Sequence, residues 1–143
     1  THEILHVIGI GTLWNNFIDP KRPLQPRRYI GPGGVDGYRT NLRGTGDLEL
    51  ETHFQQMGEH FDECAYDDEL MSPVVSYQNY LSPMTCGALR DLNYTVNMTH
   101  CDPLWKLPKR VSCNGDGFRL EAQEYDINLR GDTLRDYIID QDS

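Results

Sequence analysis

His2-Glu3-Ile4-Leu5-His6-Val7-Ile8-Gly9 is the stretch on which the reading of this chain turns. Two histidines four residues apart stand on one face of a helix, one turn from each other. Both imidazoles therefore reach a single cation, and Zn²⁺ is the ion that such nitrogens suit. Glu3 follows the first ligand, where its carboxylate polarises a metal-bound water instead of binding the metal. Gly9, just past the second histidine, lets the helix stop and the chain turn sharply beneath the metal.

This is the pattern of a zinc peptidase, and it is incomplete as it stands. A catalytic zinc takes a third protein ligand and leaves its fourth position open for water. In the compact form of the motif a third histidine lies three residues after the glycine. That position here is Thr12, which does not replace it. His53 and His60 are the nearer candidates, with His100 more distant.

Residues 1–9 read as the end of a helix, and residues 10–16 turn away from it. A helix of about eight residues is marginal alone in water. A catalytic helix of this kind ordinarily begins turns earlier and packs on a sheet. The chain is therefore expected to be the C-terminal portion of a larger protein, or one piece of a processed one. The N-terminal sheet and the upper wall of the substrate cleft are expected in the missing part.

Residues 17–47 are rich in proline and glycine and show no apolar period, so they read as loop. Tyr29, Ile30 and Tyr38 are the residues available to anchor it, and Trp14 reads as core. Residues 48–61 read as polar and irregular, with His53 a loop histidine. Asp68 and Glu69 read as a solvated acidic turn, with bonding to ligand imidazoles as the alternative. Ser82-Pro83 opens a clear helix, with serine as N-cap and proline at the first helical position. Met84, Ala88, Leu89 and Leu92 form its apolar stripe. Asn93 stands where a left-handed C-terminal cap belongs. Beyond residue 103, Phe118, Leu120 and Ala122 alternate with polar residues, as do Tyr125, Ile127 and Leu129. That period is strand-like.

The 143 residues carry a net charge of −9, which argues against nucleic acid as a partner. No apolar run approaches the roughly 18–20 residues that span a bilayer. Four cysteines, Cys64, Cys86, Cys101 and Cys113, lack the close spacing of a structural zinc site. Their even number fits two disulfides, with three connectivities open. Asn93-Tyr94-Thr95 and Asn97-Met98-Thr99 are glycosylation sequons, and together with the cysteines they point to secretion. The adhesion-like tripeptide Arg130-Gly131-Asp132 reads as an accidental match.

Three separated elements then match one family in order. Gly58-Glu59-His60-Phe61 leads to Asp68-Glu69-Leu70-Met71-Ser72-Pro73, and Ser82-Pro83-Met84-Thr85 leads to Ala88-Leu89-Arg90-Asp91-Leu92-Asn93-Tyr94. With the opening motif, these segments resemble the leishmanolysin family of metzincins. Gly11-Thr12-Leu13-Trp14 is similar to a microbial and algal subgroup of it. The resemblance implies His60 as third ligand beside His2 and His6, Glu3 as general base, and Met71 as the methionine of the turn under the metal. It covers residues 1–103. Asn93 stands where the family usually has glycine, and residues 104–143 match nothing in it.

The expected fold is α+β. Residues 1–103 form the C-terminal, zinc-binding part of a metzincin-like domain, with the end of the active-site helix, long loops, a Met-turn and one further helix. Residues 104–143 form a small β-rich extension. The expected function is that of a secreted zinc metalloendopeptidase acting on polypeptides. The alternative is a structural or adhesive extracellular subunit that reuses the fold and self-assembles. A third reading is a chain cut at Thr1 that stays bound to its N-terminal companion.

Overall fold

Ser82 and Pro83 do open the longest of the described helices. In a computed structural model, which describes residues 1–21, 27–52, 58–109 and 113, it runs over Pro83–Asp91. The Ser82 hydroxyl accepts from Thr85 N–H, satisfying one of the free donors of the first turn. At the far end Asn93 adopts φ +70°, Tyr94 N–H reaches Leu89 O and Asn93 N–H reaches Arg90 O. That pair of bonds is a Schellman cap, with asparagine in the place glycine usually takes.

Among the described residues the secondary structure is mixed, with four short α-helices and one two-stranded sheet. The helices are α1 (His2–Val7), α2 (Pro32–Asp36), α3 (Glu63–Tyr66) and α4 (Pro83–Asp91). Strands β1 (Arg28–Tyr29) and β2 (Leu48–Glu49) pair antiparallel, with Arg28 opposite Glu49 and Tyr29 opposite Leu48. Single bridges extend this ladder from Ile18 to Tyr29 and from Leu50 to Phe61. None of the described helices is long and apolar enough to cross a membrane.

The glycine-rich stretch departs from the expected loop. Residues 32–36 are helical and continue into a π-helical turn, Gly37–Asn41. Glycine disfavours helix by about 1 kcal/mol per residue, so the helix is made by its surroundings. The Asp91 carboxylate accepts from Gly33 N–H, Gly34 N–H and the Tyr29 hydroxyl, capping α2 from across the fold. A methyl group on Gly87 would lie 2.0 Å from Gly33 O, so α2 and α4 cross with backbones in contact. Leu48, Leu50 and Phe61, expected in a polar and irregular stretch, are buried in the ladder.

Trp14, Tyr29 and Phe61 stack at the centre, with ring centroids 5.0 and 5.2 Å from Trp14. Trp14 and Tyr38 are buried as expected of core and anchor, whereas Ile30 is exposed. The core continues past residue 103, because Trp105 is buried in it and donates to Asp68. Disulfides join Cys64 to Cys113 and Cys86 to Cys101. The strand-like stretches expected beyond residue 113, the Arg130-Gly131-Asp132 tripeptide and His53 lie outside the described residues.

Candidate metal centre

Two backbone devices bring the opening helix to a histidine far along the chain. Past α1 the chain reverses through Gly9 at φ +120° and Gly11 at φ +78°, conformations that residues with a Cβ rarely adopt. Gly11 is also a contact point, for a Cβ there would sit 2.0 Å from Glu59 O. The exit from α1 is thus pressed directly onto the residue before His60. His60 itself is held on both sides, since Glu51 N–H donates to His60 O and Phe61 N–H donates to Met71 O.

The result is that His2, His6 and His60 meet. Their Nε2 atoms lie 3.1 Å apart for His2 and His6, 3.0 Å for His6 and His60, and 3.3 Å for His2 and His60. The rings of His2 and His60 are near parallel at 17°, and His6 is perpendicular to His60 at 90°. His60 is buried, and the other two are half-buried.

Proton bookkeeping shows what this cluster wants. His2 Nδ1–H donates to Leu70 O at 2.6 Å, and His6 Nδ1–H donates to Ile10 O at 2.7 Å. A neutral imidazole carries one proton, so the Nε2 atoms of both rings are bare lone pairs. Two lone pairs 3.1 Å apart repel unless a cation lies between them. Burial, followed by the proximity of His6 and His2, pushes His60 down to about 4. His60 is therefore neutral at physiological pH, the state that ligates metal.

The donor set fits a metal ion. Nitrogens held about 2.0–2.1 Å from a tetrahedral ion stand about 3.3–3.4 Å apart. The observed separations approach that spacing to within a few tenths of an ångström. Imidazole suits zinc, copper, iron and nickel alike, so the three histidines lie close enough to hold a metal ion without the geometry naming which. His60 Nδ1 is buried with no hydrogen-bond partner among the described residues.

Glu3 lies on α1, exposed, and its carboxylate makes no hydrogen bond among the described residues. Met71 is fully buried, in a turn that touches the centre through Leu70 O. A cavity of about 380 Å³ opens beside His2, lined by Thr1, His2, Leu70, Val75 and Asn79. His100, the distant ligand candidate, is exposed and is not part of the cluster. Asn93 and Asn97 are exposed, and the Asn97 side chain caps a 3₁₀ turn, Met98–His100.

One reading is overturned. Glu69 is not in a solvated turn: its side chain is wholly buried and satisfied by donors from Met71, Ser82 and Thr85. Asp68 is tied to the Trp105 indole. The partners of the His2 and His6 imidazoles are main-chain carbonyls instead, and these carry no side-chain signature by which a sequence betrays them. No family profile, curated protein or solved structure matches the chain.

Proposed function

We propose that this chain carries the metal-binding and proton-transfer part of a zinc endopeptidase of the leishmanolysin type, working in an oxidising compartment. One observation carries the reading: three imidazole Nε2 atoms converge, two of them supplied by a His-Glu-x-x-His turn. Three neutral nitrogen ligands are the donor set of a catalytic zinc site, in which the fourth position is left open. A zinc ion held there would supply Lewis-acid chemistry, making water a nucleophile near neutral pH and polarising the peptide carbonyl.

The chain's own residues divide the remaining work. His2, His6 and His60 would hold the ion, and the carbonyls of Leu70 and Ile10 keep His2 and His6 in the ligating tautomer. The Glu3 carboxylate takes a proton from the attacking water and passes it to the leaving amine nitrogen as the peptide bond breaks. Its exposure leaves a lone pair open for that proton. The cavity beside His2, lined by Thr1, His2, Leu70, Val75 and Asn79, offers a recess next to the proposed site of reaction. Two disulfides and two exposed sequons support the compartment.

The test is proteolysis by the purified protein as it occurs naturally, with zinc supplied. Cleavage of a denatured protein substrate is expected to stop on chelation and return with zinc. Glu3→Gln is expected to lower kcat by about 10²–10⁴-fold while zinc binds as before. Unchanged turnover in that variant would refute the assigned base.

A further inference from the structure

Glu69 contacts none of the three imidazoles, yet it is connected to one of them through a single peptide group. Its Oε2 accepts from Met71 N–H, and the carbonyl of that same peptide unit, Leu70 O, accepts from His2 Nδ1–H at 2.6 Å. The sequence of bonded groups is carboxylate, peptide, imidazole, with the His2 Nε2 lone pair at the far end. On the other oxygen, Oε1 accepts from the Ser82 hydroxyl at 2.7 Å, Ser82 N–H at 3.4 Å and the Thr85 hydroxyl. The two peptide N–H groups among these partners can only donate, and burial raises the Glu69 carboxyl above its ordinary value while the bonds from Thr85, Ser82 and Met71 pull it back down.

We propose that Glu69 is a positioning residue for the tri-histidine centre, acting through the Leu70–Met71 peptide as a carboxylate–peptide–imidazole relay. A carboxylate bonded to a peptide N–H draws that proton toward itself and leaves the carbonyl oxygen more negative. The carbonyl then pulls harder on His2 Nδ1–H, and the Nε2 lone pair becomes a stronger donor to a cation. Hydrogen bonds in series strengthen one another, most of all where water is excluded. Glu69 is wholly buried, so no solvent competes for its part of the series. Bonds from Ser82 and Thr85 fix the carboxylate to the first turn of α4, and the relay is thereby anchored to the longest of the described helices.

His6 provides a comparison inside the same molecule. Its Nδ1–H also meets a carbonyl, Ile10 O at 2.7 Å. The amide of that peptide unit is Gly11 N–H, which makes no hydrogen bond to a carboxylate among the described residues. The two ligands therefore share a first bond and differ in what stands behind it. Glu63 supplies a second comparison. It is a buried carboxyl that accepts from Val74 N–H at 3.0 Å in the same strap of chain, with no imidazole on that peptide.

The relay rests on the centre binding a metal, and the experiment separates the two. Zinc affinity is measured by chelator competition for the wild type, Glu69→Gln and Glu63→Gln. Glu69→Gln is expected to bind zinc about 10- to 100-fold more weakly, and Glu63→Gln to bind it as the wild type does. Equal losses in the two variants would reduce Glu69 to a structural prop, and no loss in Glu69→Gln would remove the relay. A wild type that binds no zinc would instead defeat the metal centre. The wild-type protein alone gives a second readout, which serves if Glu69→Gln does not fold. The ring Nδ1–H proton resonance of His2 is expected further downfield than that of His6. Coincident resonances overturn the relay.

Discussion

Glu63 shows how much one buried side chain can set the pH response of the turn beside the centre. Burial pushes its carboxyl up to about 7, against the pull of hydrogen bonds from Val74 N–H and Ser72, while Asp67 and Asp62 add to the rise. A carboxyl whose pKa is raised on folding binds its proton more tightly in the native state. Its contribution to stability is complete below its ordinary value of 4.5 and is lost as pH rises through about 7. Glu63→Gln imitates the protonated form at every pH. The variant is expected to melt higher than wild type at pH 8, with the difference vanishing near pH 4. Metal-free protein scanned at both values gives the answer, and a difference that does not change with pH would speak against the assignment. At this scale the sequence was partly legible. His2, Glu3 and His6 are readable because a helical turn fixes their geometry locally. His60 was one of three candidates until a resemblance to a known family singled it out. Glu63 and Glu69 were opaque, since only tertiary packing removes water from an acidic residue in a turn.

Among the elements, α4 was read from its caps and α2 was missed, and the reason is physical. Ser82, Pro83 and Asn93 act within their own few residues, so their types suffice. The Pro32–Asp36 helix instead owes its capping to Asp91 and its close approach to Gly87, both distant in sequence. A sequence window on residues 32–36 contains neither. The crossing of α2 and α4 is also the contact with least room. Gly87→Ala drives a methyl group to 2.0 Å from Gly33 O, with backbone on both sides and no flexible side chain to give way. A loss of about 1–3 kcal/mol is expected, the usual range for overpacking. Thermal unfolding measures it, and a melting temperature equal to wild type would mean that the helices separate without cost. Because Glu69 is bonded to the first turn of α4, the same substitution is expected to weaken zinc binding as well.

Among the described residues, regular structure is scarce and covalent ties stand in for it. The Cys64–Cys113 and Cys86–Cys101 bridges close loops of 49 and 15 residues. Chain-entropy arguments assign such loops about 4 and about 3 kcal/mol. For a fold whose described sheet has two strands of two residues each, that is a large share of a typical net stability. Reduction is therefore expected to unfold the metal-free protein near room temperature, which far-ultraviolet circular dichroism would follow. An unchanged spectrum after complete reduction would show that the aromatic core alone suffices. The even cysteine count was readable from the sequence, whereas the pairing needed the fold.

His2 and His60 stand 58 positions apart, so an ion gripped by both closes a loop longer than either sulfur bridge does. Unlike sulfur, this buckle answers to acidity: imidazoles let go of a metal when they gain protons. In acid the molecule would come unfastened at its three imidazoles while its covalent ties stay shut, and it could be refastened on return to neutral surroundings.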